Sequence, residues 1–177
     1  MRRIAAPFLA LAILAPALAP TIAQAAESKT VALIGPDRSS RGSITVAAAP
    51  KGVLLHVEAT GLTPGWHGIH FHAKADCGDA AFKNSGGHVH GGPNPPVHGL
   101  LNPARDDSGD LTNIHAGADG VAKAEIFSSL VTLSPGGSVP ALLDADGSAI
   151  VIHAKADDYT TQPIGGAGDR VACGVVK

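Results

Sequence analysis

Positive charge is sparse in this chain and scattered along it. Lys and Arg number 13 among 177 residues, against 15 Asp and Glu, and no basic stripe forms. That argues against nucleic acid as a partner. Long apolar runs are missing beyond the N-terminus, so the rest of the chain predicts no membrane span and is expected to be soluble. A helical period of 3.6 is absent after the same point, and so are internal repeats, so neither a helical fold nor a repeat array is expected. Cysteine is limited to Cys77 and Cys173. Neither has a second cysteine nearby, which counts against a cysteine-built metal site.

The one long apolar run is N-terminal. Arg2 and Arg3 form a short positive region, residues 4–19 are apolar apart from the breaks at Pro7 and Pro16, and Ala23-Gln24-Ala25 is a small-x-small cleavage signature. This is the pattern of a secretory signal peptide over residues 1–25. An uncleaved membrane anchor competes with it, but the run is short of the roughly 20 apolar residues a span needs. The mature domain, residues 26–177, is large enough for one domain with a real core. Losing Arg2 and Arg3 takes the formal charge from -2 to about -4. Export, to a periplasm or the outside, puts Cys77 and Cys173 in an oxidising compartment, where such a pair forms a disulfide. Closing so long a loop stabilises a fold by about 4–5 kcal/mol in the chain-entropy description.

The pattern from Lys29 onward is β. Short apolar strands are expected over residues 30–34, 42–48, 53–59, 66–72, 120–128, 149–154 and 170–176, separated by turns such as Gly35-Pro36-Asp37 and Ala49-Pro50-Lys51-Gly52. Such strands predict an all-β, antiparallel sandwich or barrel. Two stretches, residues 76–111 and 157–169, have almost no periodicity. Loops this long inside a compact domain are functional or disordered. The first carries His88, His90, His98, Asp106, Asp107 and Asp110, and it is expected to be ordered around metal.

Nine histidines are present. Three fall in Trp66-His67-Gly68-Ile69-His70-Phe71-His72, where His70 and His72 alternate with Ile69 and Phe71. On a strand, residues i and i+2 share a face, so two imidazoles project to one side while the apolar residues pack to the other. Neutral imidazole suits copper and zinc. Two histidines on a polar strand face are the alternative. His56, among Leu55 and Val57, is expected to be structural, and His115 to lie on the surface.

Several blocks in fixed order carry a family resemblance: Gly65-Trp66-His67-Gly68-Ile69-His70-Phe71-His72, Gly86-Gly87-His88, His98-Gly99, Gly109-Asp110-Leu111, His153-Ala154-Lys155-Ala156-Asp157-Asp158, and Gly165-Gly166-Ala167-Gly168-Asp169-Arg170-Val171-Ala172-Cys173-Gly174-Val175. In this order they resemble a bacterial, exported copper/zinc superoxide dismutase, over nearly the whole mature chain. The resemblance implies an immunoglobulin-like Greek-key β-sandwich or barrel with two long functional loops. It implies copper on His70, His72, His88 and His153, with His88 bridging to zinc, and Asp157 linking the outer nitrogens of one copper and one zinc histidine. His67 matches a structural position.

The zinc set departs from the family, which supplies three histidines and one aspartate. His88, His98 and Asp110 fit by position, but the third histidine's place, nine residues after His98, holds Asp107. Asp107 can ligate zinc through oxygen. Two alternatives stay open on the sequence: His90 swings in instead, or the site is weak and the protein carries copper alone.

Arg170 matches the residue that sits beside copper and holds an anion, a surface salt bridge being the alternative. The mature chain is net negative, so a superoxide anion must be attracted by a local field, for which Arg170, Lys155 and copper are the sources. The implied activity is dismutation by copper cycling, in which His88 leaves copper, takes a proton and returns it. A copper-binding or copper-delivery module of the same fold, and a structural domain whose histidines bind nothing, are the competing classes. Exported members of the family differ in whether they dimerise, so a homodimer stays open.

Overall fold

The computed structural model describes residues 25–92 and 95–177. Apart from Ala25, the expected signal peptide lies outside the described residues.

Among the described residues nine strands are formed, in chain order β1 (Ser28–Ile34), β2 (Ser40–Ala49), β3 (Gly52–Ala59), β4 (Gly65–His67), β5 (Ile69–His72), β6 (Ile114–Ala116), β7 (Ala122–Ser128), β8 (Ser148–His153) and β9 (Arg170–Val176). The only helical element among the described residues is a single 3-10 turn, Lys83–Ser85. Seven strands form one antiparallel sheet in the order β5-β8-β9-β1-β2-β3-β7, and β4 pairs with β6 in a short ribbon. β4 runs on into β5 at one edge of the sheet, while β6 packs on β7 at the other. The ribbon thus joins the two edges, and the sheet curls around its core. The β8–β9 pair is inserted between β5 and β1, a Greek-key return.

Alternation fixes which face is buried. In β3, Val53, Leu55, Val57 and Ala59 are buried and Leu54, His56 and Glu58 are exposed, so His56, expected to be a structural histidine, lies on the solvent face beside Glu58 and Glu125. β5 and β8 are buried along their whole length, because both of their faces are covered. Ile69, Phe71, Ile150 and Ile152 enter the main core. On the opposite face Ala149 and Val151 pack with Phe82, Cys77 and Cys173 in a second apolar cluster. The Cys77–Cys173 disulfide forms, with Cα atoms 5.9 Å apart, and ties the long loop over β9. His70 and His72 therefore lie on an outward strand face that loops have sealed from solvent.

The sequence predicts one strand over residues 66–72, and the structure breaks it at Gly68. There the chain leaves β6 for β8: Gly68 N–H donates to Lys155 O, and His153 N–H donates to Gly68 O, both at 2.8 Å. The apolar phase set by Ile69 and Phe71 does not carry back past Gly68, where apolar Trp66 is exposed and His67 buried. β6 was not expected either, being three residues at the end of a loop-like stretch.

Candidate metal centre

Four histidines from three places converge. β5 supplies His70 and His72, β8 ends on His153, and His88 arrives from the loop after the 3-10 turn, bridged to His72. Each offers a ring nitrogen, and these nitrogens all lie within 4.8 Å of one another. All four residues are buried, none more than 3% exposed. His70 Nδ1, His72 Nε2, His88 Nε2 and His153 Nε2 have no hydrogen-bond partner. Four buried, unpartnered imidazole nitrogens on one small volume are costly unless something fills it, and an all-imidazole donor set fits copper.

The other nitrogen of each ring is occupied. His70 Nε2 donates to Asp157 Oδ2 at 2.9 Å, His72 Nδ1 to Gly86 O at 2.9 Å, and His153 Nδ1 to Gly168 O at 3.0 Å. These partners select the tautomer that leaves the inward nitrogen with its lone pair free. Burial reinforces this by disfavouring the charged ring. It pulls the pKa of His70 down to about 4 and of His153 to about 3, and lowers His72 as well.

His88 Nδ1 faces a second cluster made of His88, His98, Asp107 and Asp110, all buried. Asp107 Oδ2 lies 2.7 Å from His88 Nδ1 and 3.7 Å from His98 Nδ1. Asp110 Oδ1 lies 2.6 Å from His98 Nδ1 and 3.6 Å from His88 Nδ1. His98 Nδ1 and Asp110 Oδ1 are close but misaligned, and both rank as unpartnered. Two imidazoles and two carboxylates fit zinc, which takes four nitrogen or oxygen donors. Burial works against charge on His98, but the contacts with Asp107, Asp110 and Asp157 prevail and push its pKa up to about 11. The contacts with Asp107 and Asp110 raise His88 against burial in the same way, and the histidines hold Asp107 well below the usual carboxylate range despite its burial.

Asp157 joins the clusters. Its Oδ2 accepts from His70 and its Oδ1 from His98 Nε2 at 3.1 Å. Its backbone exchanges hydrogen bonds with the Asn113 side chain at 2.8 and 2.9 Å. Gly165, at φ +60°, leaves room for that carboxylate, since a Cβ there would land on Asp157 Oδ1.

Arg170, at the start of β9, lines a cavity of about 200 Å³ together with His72, His88, Asp107, Pro163 and Ile164. Its Nη1 donates to Phe82 O at 2.6 Å and Ser85 Oγ at 2.9 Å, and its Nη2 to Gly86 O at 2.8 Å. Lys155 is exposed and does not line this cavity.

Of the other candidates, His90 does not join either cluster, and its Nδ1 donates to His88 O at 3.1 Å. Asp106 caps the loop, its Oδ1 accepting from Val97 N–H at 2.6 Å. His67 is buried between Thr63 O and His153 O, each at 2.7 Å, and His115 packs against exposed Trp66. Asn113 was missed, and so was Gln162, whose side chain brackets the His98 backbone at 2.8 and 2.9 Å. Neither carries a sequence signal, because their partners are 44 and 64 residues away.

Comparison with known proteins agrees with this geometry. The family described as copper/zinc superoxide dismutase (SODC) matches residues 40–176. A Cu-Zn superoxide dismutase of Caulobacter vibrioides is 60% identical over 150 residues, which cover 85% of this chain and 86% of that protein. A crystal structure of a double mutant of a SOD-like protein from Bacillus subtilis superposes with a TM-score of 0.77 at 36% identity, covering 83% of this chain and 95% of that one. The Cu/Zn superoxide dismutase from Brucella abortus superposes with a TM-score of 0.68 at 28% identity, covering 85% of this chain and all 100% of that one. With its paired clusters sharing one histidine on a curled antiparallel sheet, this chain belongs to the copper/zinc superoxide dismutase family.

Proposed function

We propose that this protein is a superoxide dismutase that holds copper on His70, His72, His88 and His153 and zinc on His88, His98, Asp107 and Asp110. The observation that carries the reading is the set of four unpartnered imidazole nitrogens beside a cavity lined by Arg170. The reaction converts two superoxide anions and two protons to dioxygen and hydrogen peroxide.

Copper, when bound, supplies the one-electron couple that takes an electron from one superoxide and returns it to the next, a couple zinc lacks. Everything else falls to the chain. Arg170 keeps a fixed positive charge at the cavity and attracts a small anion that the net negative protein would otherwise repel. Its three hydrogen bonds hold the guanidinium still, so little reorganisation accompanies anion binding. His88 presents Nε2 to the copper histidines and Nδ1 to Asp107. Nε2 is the atom at which a proton is held between the half-reactions and passed to the departing peroxide. Asp107 and Asp110 face His88 Nδ1 and steady its ring while Nε2 is protonated, and with His98 they would hold zinc on that side. Asp157 fixes His70 and His98 together, and Pro163 and Ile164 narrow the approach to small molecules.

The disulfide Cys77–Cys173 supports an exported protein. The leader pattern over residues 1–25 favours the periplasm, with residues 26–177 as the mature domain.

The test is superoxide decay by stopped flow on protein reconstituted with copper alone and with copper plus zinc. Decay well above the spontaneous rate in the copper-plus-zinc form is expected. No acceleration with copper bound would overturn the reading in favour of a copper-binding protein of the same fold.

A further inference from the structure

We propose that Gln162 is a positioning residue that sets the width of the copper cavity, by tying the Pro163–Ile164 wall to the backbone of His98. The inference rests on the reading of the four-histidine cluster as a copper site, and adds the residue that decides by size which anions reach it.

Pro163 and Ile164 line the cavity of about 200 Å³ together with His72, His88 and Arg170. They stand at the tip of a turn in the loop between β8 and β9. The turn is closed below them, where Gly165 N–H donates to Thr161 O at 2.6 Å and Asp158 N–H to Gly165 O at 2.9 Å. The base of the loop is tied to the rest of the fold twice. Asp157 is held by Asn113, and Tyr159 O accepts from Leu101 N–H at 3.2 Å. The tip is not held in the same way. Proline has no N–H to donate, and the bond of Ile164 O, from Ala167 N–H at 3.1 Å, stays inside the loop. Among the described residues, only Gln162 carries hydrogen bonds from positions 162–164 to a residue outside that loop.

Both arms of its amide are used there. Oε1 accepts from His98 N–H at 2.9 Å, and Nε2 donates to His98 O at 2.8 Å. Such a two-point grip fixes direction as well as distance, and it needs one side chain with both a donor and an acceptor at its end. Nε2 also donates to Thr160 O at 3.0 Å, which ties the grip back to its own loop. His98 is a firm anchor. It is fully buried, its carbonyl accepts from Asn102 Nδ2 at 3.2 Å, and the neighbouring Gly99 N–H donates to Asp110 Oδ2 at 2.8 Å. A wall of the first site therefore hangs on the backbone of a histidine of the second. Gln162 is itself exposed, so water replaces these bonds when they are removed. Each is then worth a net factor of about 2–10 in the position of the wall.

The experiment compares two one-electron reactants of different size on protein carrying copper and zinc. Superoxide decay is followed by stopped flow. Hexacyanoferrate(III), a bulky trianion, takes one electron from the reduced copper and becomes hexacyanoferrate(II), and its loss of colour is timed. In Gln162→Ala the ratio of the hexacyanoferrate rate to the superoxide rate should rise on the order of tenfold over the wild type, with copper and zinc contents unchanged. Gln162→Glu keeps the acceptor for His98 N–H but loses the donor to His98 O, and its ratio should fall between the two. Amide hydrogen exchange on the reduced, diamagnetic protein gives a readout that needs no turnover. The His98 N–H should be protected in the wild type and exchange on the order of tenfold faster in Gln162→Ala. A wild-type ratio in fully metallated Gln162→Ala would overturn the inference. Zinc loss from that variant would also overturn it, by making Gln162 a residue of zinc retention. An unprotected His98 N–H in the wild type would overturn it whatever the variants do. Copper-loaded wild type that fails to speed superoxide decay would instead break the underlying reading, and the wild-type superoxide rate tells the two failures apart.

Discussion

Arg170 and His72 share one acceptor: the carbonyl oxygen of Gly86 takes Arg170 Nη2 at 2.8 Å and His72 Nδ1 at 2.9 Å. The residue proposed to hold the anion and one of the histidines proposed to hold copper are thus positioned by the same peptide. Phe82 O and Ser85 Oγ, also bonded to Arg170, lie in the same short segment. The guanidinium therefore serves both as the charge at the cavity and as the clamp on the loop that orients His72.

Substituting Arg170 separates these roles. Arg170→Ala should slow superoxide decay by at least about tenfold, the scale of a lost steering charge, while copper content stays near that of the wild type. Arg170→Lys restores the charge without the three-point clamp and should recover part of the rate. Stopped-flow decay and metal analysis on the same samples check both. A copper-free Arg170→Ala protein would make Arg170 a structural residue.

Asp157 holds His70 and His98 with one oxygen each, and both rings donate. An amide of the same shape has only one oxygen and would confront one ring N–H with an NH₂ group. Asp157→Asn should therefore weaken both metals together, by about 10–100-fold, the usual scale for an outer partner of a metal histidine. Chelator competition measures it. A loss confined to one metal would mean that Asp157 orients only one of the two rings.

The sequence made part of this legible, for physical reasons. His70 and His72 announced a shared face two residues apart, whereas in β3 apolar Leu54 falls on the exposed face and blurs the alternation. The place of Asp107 in the second cluster followed from its spacing after His98 within the family resemblance. Asn113 and Gln162 stayed hidden because they act on backbone atoms far away in the chain. The corner at Gly68 stayed hidden because it is made by hydrogen bonds to Lys155 and His153, far away in the chain.

Gly165 tests how much room Asp157 has. Its φ of +60° and the missing Cβ are both required. Gly165→Ala should cost about 1–2 kcal/mol from the left-handed backbone alone, and it should also displace the carboxylate. A lowered melting temperature together with weaker zinc retention is expected. Melting alone, with zinc retention unchanged, would show that Asp157 can yield without releasing His98.

The metal-free protein should be most stable near pH 6.5 and lose stability on both sides. His98 has its folded pKa raised to about 11 from an ordinary 6.5. Its contribution is complete below pH 6.5 and is lost as pH rises toward 11. His70 and His153 are lowered to about 4 and 3. Their unfolded forms take up protons below pH 6.5 while the folded forms do not, so stability falls from there toward pH 3. Asp107 and Asp157, both depressed, add to the acid-side loss once their unfolded value near 3.8 is passed. Zinc must displace the proton on His98, whereas copper meets His70 and His153 already neutral, so zinc uptake at pH 7 should release more protons than copper uptake. Denaturant midpoints against pH, and calorimetry in buffers of different ionisation enthalpy, read the two effects. Equal proton release by both metals would mean that His98 is neutral before zinc arrives, with its Nδ1 lone pair already turned toward the site.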